Sequence, residues 1–146
     1  LVGFGWLHKL ATDEKLRLPI IHHPAYSGGF VSPGVSGVAD YLQLGLLPRI
    51  FGADMPIFVS YGGRFTFTEE QCKRISSYIK RPMGLMKAAC PAPGGGVTDT
   101  RLNELVELYG NDTMFLVGGD MFRRGPDIEA NMSYFVERLT KLSERT

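Results

Sequence analysis

Residues 84–120 read GLMKAACPAPGGGVTDTRLNELVELYGNDTMFLVGGD. Two short apolar runs, GLMKAAC (84–90) and TMFLVG (113–118), flank one amphipathic segment, TRLNELVELYG (100–110). The runs have strand length, and the segment between them has helical spacing with Gly110 as its stop. Each run leads into a glycine-rich turn, PGGG after the first and GGD after the second. Strand, loop, helix, strand is a parallel unit with a right-handed crossover.

The same unit repeats outward. Upstream, Thr68 precedes Glu69, Glu70 and Gln71, so the Thr68 hydroxyl and the Gln71 side chain form a capping box. That helix runs to about Lys80, before Pro82. ADMPIFVS (53–60) is a strand, and YGGRFT a loop after it. VADYLQLGLLPRIFG (38–52) is helical in pattern, with a kink or early end at Pro48. LPIIHH (18–23) is a buried strand, PAYSGGFVSPGVSG (24–37) a glycine-rich loop, and residues 1–15 a first helix. Downstream, GDMFRRG is a loop and PDIEANMSYFVERLTKLSER (126–145) a last helix, with Pro126 in its first turn.

The expected order is one helix, then strand and helix four times. Strands that are short and apolar on both faces are parallel and central. Two α/β architectures fit, an open doubly wound sheet or part of a (β/α)8 barrel. A complete barrel has about 250 residues, so in the barrel case the four units would be its second half. The chain of 146 residues is expected to be one domain, residues 1–146. It starts LVGFGWLHKL, without methionine and already helix-like, as expected of part of a longer protein.

Composition narrows the function. Hydrophobic residues are 44% and charged residues 21%, as in an ordinary globular protein. A net charge of +1 gives no electrostatic basis for binding nucleic acid or an anionic membrane. No apolar run is long enough to span a bilayer, and no signal peptide is evident. Cys72 and Cys90 have neither zinc nor redox spacing and are expected to be reduced thiols of a cytoplasmic protein.

In a barrel, every loop leaving a strand's C-terminal end faces one site. That rim would collect His23, Arg64 and both glycine turns. The turns follow the last two strands, the usual phosphate position of the fold, and unpaired N–H groups at the next helix favour an anion. Tight turning alone would also explain the glycines. His23, ending its strand, is a candidate acid or base, and Arg64 a candidate closing cation. His22 points to the other side of the strand, toward the helices. Asp40, Asp54 and Asp120 form no carboxylate cluster by spacing, and no metal-binding motif is present.

The stretches LPIIHHPAYSGG, GLLPRIFGAD, SYGGRFTFT, PAPGGGVTDTRLNELVELYGND and FLVGGDMFRRGPDIEAN, in this order and spacing, resemble the C-terminal half of the ribulose bisphosphate carboxylase large-chain superfamily. The wording is closer to the RuBisCO-like proteins than to the carboxylases. The resemblance implies catalytic roles for His23 and Arg64. It implies phosphate binding by Gly95, Gly96, Gly118 and Gly119, and substrate contact by Gly94. It implies enediolate chemistry on a small phosphorylated sugar or sugar acid. Carbon–carbon cleavage or decarboxylation, enolisation and isomerisation all belong to that chemistry. The implied cofactor is Mg2+, with its ligands in the N-terminal part outside this chain and none within it. The implied full-length assembly is a homodimer.

Four departures tell against carbon dioxide fixation. Pro24 stands in place of a phosphate-binding arginine, Ile57 in place of a phosphate-contacting histidine, and Gly94 in place of a serine. Arg64 replaces the mobile-loop lysine, and the two cations are not interchangeable. Asp120 stands where a third glycine is common. The competing expectations are a catalytically inert half-barrel and a true carboxylase. An open-sheet nucleotide-binding protein ranks last, because the glycine loop near the first strand, with an acid about twenty residues on, is missing.

Overall fold

The computed structural model describes residues 3–31 and 37–144. Helix α1 (Gly3–Ala11) leads to strand β1 (Ile21–His22) and the one-turn helix α2 (Gly28–Val31). A π-helical segment (Tyr41–Leu46) continues into α3 (Leu47–Ile50). Then follow β2 (Met55–Val59), α4 (Glu69–Lys80), β3 (Ala92–Gly94) and a 3-10 turn (Asp99–Arg101) running into α5 (Leu102–Tyr109). The short helix α6 (Gly118–Arg123) and the long α7 (Ile128–Ser143) close the described chain.

The strands lie in chain order, β1-β2-β3, all parallel. Ile21 is in register with Met55, and Ile57 with Ala92. Leu116 extends the sheet by a single parallel bridge to Gly94. A doubly wound sheet reverses its strand order at a switch point, whereas barrel strands follow one another. The uninterrupted order is that of a barrel segment.

Alternation along β2 separates two faces. Pro56 and Phe58 are buried, while Met55, Ile57 and Val59 are half-buried on the open side. Phe58 meets the Tyr109 ring edge-on at 5.7 Å, so the buried face looks toward α5. The core sits there, built from Phe58, Cys72, Ile75, Ile79, Leu102, Leu105 and Phe135. Burying each such large side chain stabilises the fold by about 1.5–3 kcal/mol. The opposite face of the sheet corresponds to the barrel interior.

The capping box of α4 is present as expected. Gln71 N–H donates to the Thr68 hydroxyl at 3.2 Å, and Thr68 N–H to Gln71 Oε1 at 2.9 Å. Gly110 stops α5 with φ +74°, its N–H bonded to the Val106 carbonyl at 2.7 Å. Pro48 falls in the first turn of α3, where the π-helical segment runs on into it, so the helical ladder lacks one donor at the change of pitch.

Several boundaries differ from expectation. The third strand is Ala92–Gly94, not residues 84–90. Met83 and Met86 instead close a tight turn that leaves Leu85 fully exposed. Proline disfavours a central strand, yet Pro93 lies in β3. Its carbonyl accepts from Leu116 N–H at 3.1 Å, so the donor it lacks faces the side where pairing is a single bridge. The fourth strand, expected over 113–118, is reduced to that bridge. The expected loop at 119–125 is helix α6, and α2 occupies part of the expected loop at 24–37, whose residues 32–36 lie outside the described ones. Pro126 precedes the N-cap of α7, which is Asp127, accepting from Ala130 N–H at 2.9 Å.

Candidate active site at the C-terminal strand ends

A cavity of about 960 Å³ opens where the strands end. His23, Arg64, Gly94, Gly95, Gly96 and Gly119 all line it, whereas Gly118, also expected there, does not. Sequence positions spanning nearly a hundred residues therefore converge on one rim, because every strand runs the same way. Pro24, Ile57, Asp120 and Arg123 line it too.

His22 and His23 divide as strand alternation requires. His22 stacks on the Phe4 ring of α1 at 5.8 Å. Burial, with His23 beside it, pushes its pKa below the ordinary histidine value, so it is held neutral. His23 is exposed and faces the cavity.

Arg64 is exposed, with its guanidinium 4.9 Å over the Phe65 ring. Among the described residues no carboxylate pairs with it. Its charge is available to an anion in the cavity.

The glycines differ in what requires them. A side chain at Gly94 would meet Leu116 Cδ1 at 3.1 Å, so this glycine lets the fourth chain segment approach β3. Gly95 and Gly96 are left-handed, with φ of +78° and +70°. A Cβ on Gly96 would sit 2.8 Å from Gly63 N, so the two loops touch backbone to backbone. Gly118 and Gly119 open α6, and their N–H groups have no backbone acceptor among the described residues.

Asp120 is held at this end by two contacts. Its Oδ2 accepts from Asp99 N–H at 2.9 Å, and its Oδ1 lies 3.3 Å from Arg123 Nη2. It thus ties α6 to the turn before α5, and its charge is partly met by Arg123. Asp40 is buried and pairs with Arg74 at 2.8 Å, and Asp54 accepts from Ile20 N–H at 2.8 Å. These carboxylates serve separate structural contacts.

Three participants were not singled out from sequence. Arg101 donates from Nη1 to the carbonyls of Tyr61 (2.7 Å) and Gly96 (3.0 Å), and from Nη2 to Glu104 at 2.9 Å. Tyr61 also donates its hydroxyl to Glu104. Burial and the Glu104 hydrogen bond push the Tyr61 pKa up to about 12, so it stays protonated. The Arg101 hydrogen bond holds Glu104 below the ordinary carboxylate value. The available sequence signal was an arginine three residues before a glutamate, just after a glycine loop.

Among the described residues no group of three or more His, Cys, Asp or Glu is placed to hold a metal ion. The residues present do not fit a magnesium site, and no chemical step is assigned to one. Cys72 and Cys90 are free thiols whose pKa burial raises. No described helix is long and apolar enough to cross a membrane.

No family model matches the chain. Ribulose bisphosphate carboxylase-like protein 1 of Rhodopseudomonas palustris is 33% identical over 135 residues, covering 92% of this chain and 35% of that protein. A 2,3-diketo-5-methylthiopentyl-1-phosphate enolase of Exiguobacterium sibiricum is 32% identical over 117 residues, covering 80% of this chain and 29% of the enolase. The crystal structure of a RuBisCO-like protein from Alicyclobacillus acidocaldarius superposes with a TM-score of 0.84 at 28% identity, over 99% of this chain and 36% of that one. The chain spans about a third of the length of the relatives it matches.

Proposed function

Because this chain belongs to the ribulose bisphosphate carboxylase large-chain superfamily, as the C-terminal half of its barrel, we propose that it forms part of a non-carboxylating enzyme acting on a phosphorylated sugar or sugar acid. The observation that carries this reading is the convergence of His23, Arg64 and two glycine turns on one cavity. Among the described residues the Gly118 and Gly119 N–H groups have no backbone acceptor, and Gly119 lines the cavity, which supports phosphate binding at this end.

His23, the residue just after β1, has an exposed imidazole and would move a proton next to a substrate carbonyl. Arg64, free of an internal carboxylate partner among the described residues, would neutralise developing negative charge. Such chemistry covers enolisation, isomerisation, and carbon–carbon cleavage or decarboxylation. The enolase name of one relative supports the first of these. Pro24, Ile57 and Arg64 replace residues that carboxylation of a bisphosphate would use, which supports the non-carboxylating reading. Magnesium and its ligands are assigned to the part of the barrel outside this chain, and the full protein to a homodimer.

The test is hydrogen–deuterium exchange next to the carbonyl of a pentulose 1-phosphate, followed by NMR with the full-length protein and Mg2+. His23→Ala is expected to lower the exchange rate by roughly a hundredfold or more, the usual size of a general acid–base contribution. Exchange that persists unchanged in both His23→Ala and Arg64→Ala would sink the reading.

A further inference from the structure

The loop that presents Arg64 meets the loop of Gly95 and Gly96 with glycine backbone against glycine backbone. A Cβ on Gly63 would sit 3.0 Å from Gly96 N, and a Cβ on Gly96 would sit 2.8 Å from Gly63 N. Such a contact has no side chains to interlock, and dispersion between a few backbone atoms is too weak to hold it. Pairing of Val59 with Gly94 and the Ser60 N–H to Gly94 carbonyl bond hold the bases of the two loops, and a group that reaches both loops would fix their tips.

Arg101 stands at that junction. One nitrogen, Nη1, donates to a carbonyl from each loop, Tyr61 at 2.7 Å and Gly96 at 3.0 Å. Its guanidinium lies 4.4 Å over the Tyr61 ring, and Nη2 pairs with Glu104 at 2.9 Å. Tyr61 returns its own hydroxyl to the same Glu104 oxygen, which closes the cycle. Gly62 supplies the room. It is left-handed at φ +74°, and a Cβ there would lie 2.5 Å from Arg101 Nη1. Arg101 itself starts from the turn leading into α5, whose Leu102 and Leu105 are fully buried, so the anchor is rigid.

We infer that Arg101 is a positioning residue, a clamp that fixes the Tyr61–Phe65 loop onto the glycine loop and so sets Arg64 over the cavity. The role of Arg64 in it rests on the functional reading above; the clamp itself rests on geometry. Lysine cannot substitute, because a single ammonium does not present the planar fork that meets two carbonyls, a ring and a carboxylate together.

The experiment uses the full-length protein and has two readouts. The first is amide hydrogen exchange. Arg101→Lys is expected to speed exchange by roughly tenfold or more in residues 61–67, while α4 stays unchanged. Unchanged exchange in that loop overturns the clamp, whatever the activity. The second is a double-mutant cycle on kcat/KM. The loss caused by Arg101→Lys is expected to shrink to within about twofold once Arg64 is already alanine. An undiminished loss overturns the claim that Arg101 acts through Arg64. Should Arg64→Ala alone leave turnover untouched, the functional reading of Arg64 fails, and faster loop exchange in Arg101→Lys still upholds the clamp. If Arg101→Lys does not fold, Glu104→Gln replaces it, with a smaller rise in loop exchange expected and no rise counting against the clamp.

Discussion

Gly95 and Gly96 are neighbours with nearly the same backbone and different surroundings. Both are left-handed, but nothing lies within 4 Å of a Cβ on Gly95, whereas Gly63 blocks one on Gly96. Gly95→Ala is therefore expected to cost only the left-handed strain, about 1–2 kcal/mol. Gly96→Ala should cost clearly more and should also weaken the affinity for inorganic phosphate, since the loop must shift. Urea unfolding and phosphate titration of the two full-length variants check this. Equal losses would mean that the two loops are not in contact. At this scale the glycines and His23 were legible, because backbone freedom and strand ends leave marks in a single sequence. Arg101 was not. Its partners Tyr61 and Gly96 lie on different loops, and only the fold brings both carbonyls to one guanidinium.

Among the elements, α4 was read nearly to its ends because its signals are local. Thr68 and Gln71 bond reciprocally within one turn, and Pro82 follows soon after the end. Thr68→Ala should destabilise the protein by about 1 kcal/mol with no change in the core, measured as a shifted urea midpoint at constant slope. Strand β3 was misplaced for the opposite reason. GLMKAAC has the apolar content of a strand, yet burial is decided by neighbours, and Leu85 finds none. APG has the composition of a loop, yet Ala92 and Pro93 are buried. Helix α6 was missed because two glycines at its start read as a turn, and six residues are too few to show a period.

For the molecule as a whole, half of a barrel leaves apolar surface uncovered on both sides of its sheet. At the β1 side, Leu18, Ile21, Tyr26 and Phe30 are exposed. Beyond Leu116, α6 and α7 expose Phe122, Ile128, Met132 and Val136. The polypeptide of residues 1–146 prepared by itself is expected to self-associate, because parallel edges and apolar faces seek partners. Sedimentation at increasing concentration tests this, and a strictly monomeric species would count against it. The strand order has a further consequence, for the time course of folding. Each strand pairs with the one synthesised just before it, so no described pairing waits for a distant part of the chain. β1 and β2 need no later strand in order to pair, and β3 adds to an edge that they have already formed. Assembly can thus keep pace with translation.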